Sequence, residues 1–235
     1  MLHGRVFTQS PPITYDGNAA PLRLNKFGEL VMETRQSGLH GICDEGNAYK
    51  AMTAIGTAIN VSGAAQTAYV ATTPTVILRN SSASATGPAI YPLHLRMVWV
   101  TAPTGATSVQ GLIVTDSGGV RYSSGGSALS NYNSLQGSSN SPIGVCHAGA
   151  ITAGAATGAV REVFRFALKG AIPAVGDCMH IRFGEQSMPG NQALTAAVGP
   201  VVIPANITGQ VMIYLWFPGQ SGTGTAEFEM AWMER

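Results

Sequence analysis

Leu93-His94-Leu95-Arg96-Met97-Val98-Trp99-Val100 sets the terms of the fold. Leu93, Leu95, Met97 and Trp99 alternate with His94, Arg96, Val98 and Val100, so bulky apolar groups recur at every second position. In an extended chain successive side chains point to opposite faces, and a period of two therefore puts one greasy face on a core and leaves the other wetter. The same pattern returns further along. Phe164, Phe166 and Leu168 alternate with Val163, Arg165 and Ala167, and Met179, Ile181 and Phe183 with Cys178, His180 and Arg182. Phe228, Met230 and Trp232 alternate with Glu227, Glu229 and Ala231. Further runs at 75–80, 107–115, 143–151 and 208–217 raise the count to about eight, the number a two-sheet jelly roll uses. No segment keeps a helical period for three turns; Ala48 to Ala58 comes nearest, weakened by its Thr, Gly and Ile.

These runs are joined by Gly/Ser/Thr-rich stretches, Asn80 to Pro88, Ser117 to Ser141 and Gly184 to Val198. The middle one exceeds ordinary loop length and reads as a functional or mobile connection. Residues 1–50 differ from everything after them. They hold five of the 13 basic and five of the 12 acidic residues, show no sustained period, and are punctuated by Pro11-Pro12, Asp16-Gly17 and Pro21. The expected organisation is thus an extended N-terminal arm over 1–50 and an all-β, antiparallel two-sheet jelly-roll sandwich over 51–235. Leu22, Leu24, Phe27, Leu30 and Val31 are the arm's apolar anchors, which need a partner surface to lie on.

Composition narrows the function. Charged residues make up 11 % of the 235, well below the roughly 25 % of an ordinary domain, and the net charge is +1. That balance disfavours nucleic acid as a partner, because neutralising phosphates takes clustered Lys and Arg. The tract from Ala51 to Leu78 carries no charge at all, which points to a surface covered by neighbours. No run of about 18 apolar residues is present to span a bilayer, so no membrane is expected. Three cysteines (Cys43, Cys146 and Cys178) cannot pair completely and are expected to be free thiols in a reducing compartment.

Catalytic and metal signatures are sparse in the sequence. The nearest approach to a nucleophile elbow is Gly219-Gln220-Ser221-Gly222, which reads as a turn. Glu227 and Glu229 share one strand face and read as its wet side rather than as a glycosidase pair. Cys146-His147 and Cys178-x-His180 are the one hint of a zinc site, but adjacent strand residues diverge to opposite faces. Tyr122, Tyr132 and Asn133 are the best candidates for a sugar platform. The expectation is a non-enzymatic protein without cofactor or metal.

The segment Thr14-Tyr15-Asp16-Gly17-Asn18-Ala19-Ala20-Pro21-Leu22-Arg23-Leu24-Asn25-Lys26-Phe27-Gly28-Glu29-Leu30-Val31 is similar to a phrase near the start of many tailed-bacteriophage virion proteins. Val201-Val202-Ile203-Pro204-Ala205-Asn206 through Trp216, with Glu229 to Arg235, resembles the last strands of phage jelly-roll capsid-decorating proteins. The resemblance implies a capsid cement (decoration) protein, made in the host cytoplasm and carried on the head surface. Its partners would be the major capsid protein and further copies of itself, as a homotrimer. A tail, collar or fibre component is the alternative within the virion, and a carbohydrate-binding module the alternative from another class.

Overall fold

The structure, a computed structural model, describes residues 42–156, 160–169, 173–184, 194–205 and 209–235. The chain divides into two units, Met1–Gly41 and Ile42–Arg235, and the described residues belong to the second. The arm anchors Leu22, Leu24, Phe27, Leu30 and Val31 lie outside the described residues.

Thirteen strands build the described unit: β1 (Ala48–Met52), β2 (Ile59–Asn60), β3 (Val76–Asn80), β4 (Ile90–Thr101), β5 (Ser108–Asp116), β6 (Tyr122–Ala128) and β7 (Ser130–Asn133), then β8 (Gly144–Ala153), β9 (Arg161–Lys169), β10 (Cys178–Phe183), β11 (Thr195–Val198), β12 (Gln210–Trp216) and β13 (Thr225–Glu234). The first sheet runs β11-β10-β4-β13-β1-β7, with β2 also on β13, and the second runs β6-β8-β3-β12-β5-β9.

Four antiparallel pairs are nested in the chain: β5 with β9, β4 with β10, β3 with β12, and β1 with β13. Successive pairs fall in alternate sheets, as when one long two-stranded ribbon is folded over on itself. This nesting, β1-β13-β4-β10 facing β3-β12-β5-β9, is the expected jelly roll. Strands β6, β7 and β8 are inserted between β5 and β9. They widen the second sheet through β8 on β3 and the first through β7 on β1.

The core lies between the sheets. Leu95, Met97 and Trp99 of β4, Met179 and Ile181 of β10, and Phe228, Met230 and Trp232 of β13 meet Val76, Leu78, Ile113, Val211, Ile213 and Leu215. The Trp99 and Phe217 rings meet edge to face at 5.4 Å, a geometry favoured by their quadrupoles. A Cβ on Gly111 would collide with the ring of Phe166, its cross-strand partner, so the glycine makes the room that lets that ring lie inward.

Three expectations are corrected. Residues 42–50 belong to the sandwich rather than to the arm: β1 straddles position 50, pairs with both β13 and β7, and Ala48, Tyr49 and Ala51 are buried. The stretch Ser117 to Ser141 is not one open connection but contains β6 and β7. Their small polar residues lack an apolar face, and they are strands because β8 and β1 offer edges to pair with. Leu93 does not join Leu95 and Met97 in the core. Ala231 and Trp232 of β13 face His94 and Pro92, so Leu93 is the extra residue of a bulge in β4, which breaks the alternation there and leaves Leu93 half-buried on the outside.

Candidate functional site

The outward face of the first sheet gathers charge. His94 and Arg96 stand two apart on β4, and His180 and Arg182 two apart on β10, so each pair shares a face. The antiparallel register sets His180 opposite Arg96 and Arg182 opposite His94. On the other side of β4, Glu229 lies opposite Arg96 and the small Ala231 opposite His94, and beyond them Lys50 projects from β1. A depression of about 390 Å³ results, lined by Leu93, His94, Arg96, His180, Arg182 and Glu229.

Glu229 organises one side of this depression. His94 Nε2 donates to Glu229 Oε1 at 3.0 Å, Lys50 Nζ lies 3.5 Å from the same oxygen, and Arg96 Nη1 is 4.0 Å from Oε2. Partial burial alone would raise the Glu229 carboxyl, but the His94 hydrogen bond and the Lys50 charge outweigh it and hold the group below its usual range. His180 is pushed down, first by burial and then by the positive charges of Arg182, Arg96 and His94. Arg96 Nε donates to Cys178 Sγ at 3.3 Å. Chemically, the face holds one carboxylate, Glu229, among Lys50, His94 and Arg96.

The outward face of the second sheet is apolar. Ile77, Leu112, Val114, Ile151, Met212 and Tyr214 form a second buried cluster there. The uncharged segment between β2 and β3 roofs it. The Tyr69 ring meets Tyr214 at 5.1 Å and Trp216 at 6.0 Å, Tyr214 Oη donates to Ala71 O at 3.0 Å, and Ala153 N donates to Thr72 O at 2.8 Å. Burial pushes the Tyr214 phenol up to about 12. A buried ion pair pins the roof: Arg121 Nη1 donates to Asp116 Oδ2 at 2.8 Å, Nη2 to Ala71 O at 3.2 Å and Nε to Gly154 O at 2.7 Å. A groove of about 430 Å³ remains between the roof and β8, walled by Gly63 to Ala68, Val70, Thr73 and residues 150–152, with no charged side chain.

The residues singled out in the sequence are not brought together. Cys146 lies in the core, where burial pushes its thiol up, while His147 faces outward and stacks on Tyr122 at 3.9 Å. Cys178 and His180 are on the other sheet. All three cysteines are free, and among the described residues no three His, Cys, Asp or Glu side chains gather as a metal site. Gly219 sits in a turn at a φ of 80°, as the sequence predicts. Tyr122 and Tyr132 lie on edge strands of different sheets, and Asn133 Nδ2 is tied to Gly46 O at 2.8 Å, so these three form no single platform. Among the described residues no helix is long and apolar enough to cross a membrane.

Sequence reasoning passed over Lys50, Arg96, Arg182 and the buried Asp116–Arg121 pair. A signal for the first cluster was present: His-x-Arg occurs at 94–96 and at 180–182, each within an alternating run. What it lacked was the adjacency of β4 and β10. Comparison with family models, curated proteins and solved structures finds no match to this chain.

Proposed function

We propose that this protein is a bacteriophage capsid cement (decoration) protein, a non-enzymatic jelly roll that binds the outside of the head and bridges neighbouring major capsid subunits. The observation that carries the reading is the uncharged surface on the second sheet. Within the charge-free stretch Ala51 to Leu78, the segment between β2 and β3 overlies that sheet and leaves Tyr69 and Val70 exposed. Uncharged surface of this kind marks contact with other proteins. The resemblance of residues 14–31 to the opening of phage virion proteins supports the same reading.

In this account the protein works without cofactor, as a homotrimer, and many modest contacts repeated over a shell add up by multivalency. The arm anchors Leu22, Leu24, Phe27, Leu30 and Val31 fasten each copy to the shell or to its neighbour. Such anchors contribute roughly 1.5–3 kcal/mol each when fully buried. Ordering the backbone costs about 1–2 kcal/mol per residue, so strand addition to a partner's sheet edge must supply the remainder.

The test counts copies in purified virions and measures binding to undecorated heads. Cement is expected in hundreds of copies per particle; a few dozen or fewer would make it a tail, collar or fibre part, and specific retention on a glycan array would favour the carbohydrate-binding alternative. Deleting residues 1–41, which spares β1, should preserve the β circular-dichroism spectrum and a cooperative melt while abolishing most head binding. Unchanged head binding after the deletion would remove the arm from the account. Light scattering that gives a monomer, with no trimer on the particle, would remove the trimer.

A further inference from the structure

The outward face of the first sheet carries more positive charge than its fold requires. Directly opposed like charges destabilise a sheet, yet β4 and β10 set His180 against Arg96 and Arg182 against His94, so that each histidine, once protonated, faces an arginine. Packing does not call for them, since the inward residues Leu95, Met97, Met179 and Ile181 make the core contacts. In a chain with only 11 % charged residues, placing Lys50, Arg96 and Arg182 with two of the five histidines on one face is a concentration with a purpose. The depression lies among the β4 and β10 side chains Leu93, His94, Arg96, His180 and Arg182, with Glu229 at its side.

Glu229 shows which chemistry the face accepts, with its carboxylate held among Lys50, His94 and Arg96. On the far side of Arg96, His180 stands directly across the strand pair. We propose that this face docks an acidic segment of a partner protein, seating an incoming carboxylate against Arg96 and His180 beside Glu229. Charge complementarity selects the carboxylate, and the surroundings select a peptide. Val98, Val100, Tyr91 and Met233 flank the cluster on the same sheet face, whereas a nucleic-acid backbone would need a continuing basic stripe. The inference goes beyond the cement reading and holds whichever protein supplies the acid.

The groups facing the cluster are Lys50 from β1, Glu227 and Glu229 from β13, His94 and Arg96 from β4, and Cys178, His180 and Arg182 from β10. Of these, His180 gains charge below the ordinary histidine range, first because it is partly buried and then because of Arg182, Arg96 and His94, while carboxylates of a partner stay ionised down to about pH 4.3. Docking therefore strengthens on mild acidification. By linkage, the bound acid raises the titration midpoint of His180.

The test titrates the full chain, with labelled histidines, against a short peptide of alternating Glu and Val, using its Gln counterpart and inorganic phosphate as controls. Saturable shifts at His94 and His180 are expected, with affinity about tenfold higher near pH 5.5 than near pH 7.5. Replacing Arg96→Gln together with His180→Gln should weaken binding about tenfold with an unchanged melting temperature. Glu229→Gln removes the competing carboxylate and should tighten binding, a gain that misfolding cannot imitate. The proposal is overturned by absence of saturable binding at the acidic pH, by equal affinity for the Gln peptide or for phosphate, or by a Glu229→Gln variant that binds no more tightly.

Discussion

The outward faces of the two sheets arise from the same alternation and have opposite characters. On the first sheet the outward positions of β4, β10 and β13 include His94, Arg96, His180, Arg182, Glu227 and Glu229, partly or fully open to solvent. On the second, the outward positions of β3, β5 and β12 include Ile77, Leu112, Val114, Met212 and Tyr214, all buried beneath the segment that follows β2. Strand β12 shows the consequence most plainly: apart from Trp216 all of its residues are buried, because core covers one face and roof the other. A jelly roll needs one apolar face per sheet, and the second sheet has two. The roof is therefore part of the stabilising structure, whereas the charged face can change without disturbing the fold.

The sharpest way to break this contrast is at the roof's polar pin. Asp116→Ala leaves the Arg121 guanidinium, whose side chain is 2 % exposed, without its counter-charge. A loss of about 3–5 kcal/mol is expected from urea unfolding, since a charge stranded in a buried site is costly. Ile77→Ala, beneath the roof, should cost about 2–5 kcal/mol even though it lies outside the main core. Equal stability of that variant and wild type would mean the roof does not hold in solution. Tyr214→Phe removes only the hydroxyl that donates to Ala71 and should cost about 1 kcal/mol. On the opposite sheet, Arg96→Ala should stay within about 0.5 kcal/mol, because its side chain is 48 % exposed and its contacts with Glu229 are screened.

The acid side of the stability curve separates the two faces again. His147 on the second sheet and His180 on the first both have depressed folded values, by burial first and then by neighbouring positive charge. A depressed value means the unfolded chain binds the proton more readily. The associated stability is thus present above the ordinary histidine value near 6.5 and is lost as pH falls through the lower folded values. Glu229 acts in the same direction lower down: its contribution is present above the ordinary carboxyl value near 4.3 and disappears as pH falls through its depressed one. Urea midpoints measured against pH should therefore decline in two stages. The Glu229→Gln variant should lack part of the lower stage, an effect below about 1 kcal/mol because the partners of Glu229 are exposed.

Seven of the eight strands of the jelly roll proper were legible because each needs only its own side chains to declare a face; β1 was read as part of the arm. The runs at 75–80, 107–115, 143–151 and 208–217 coincide closely with β3, β5, β8 and β12. Strands β6 and β7 were not legible. Tyr-Ser-Ser-Gly-Gly-Ser-Ala has no apolar alternation, and Gly125 and Gly126, at φ of 73° and 63°, place the chain in a bulged course along β8 that no local pattern announces. Ile77, Met212 and Tyr214 could be read as strand residues, but nothing in their runs says that the outward face is covered as well.

By itself, then, the sequence determined that this chain is all-β, where eight strands lie, which residues of most of them face inward, and that the region from Ala51 to Leu78 is uncharged. Those properties follow from the two-residue period of an extended chain and from the cost of leaving apolar side chains in water, both of which act locally. Only the tertiary structure decided which strands become neighbours. That choice rests on pairing between segments such as β4 and β10, about 80 residues apart, where loop closure and register compete over the whole molecule. It turned two separate His-x-Arg steps into one basic depression, brought Asp116 and Arg121 together out of water, and laid an uncharged connection over the second sheet as its roof.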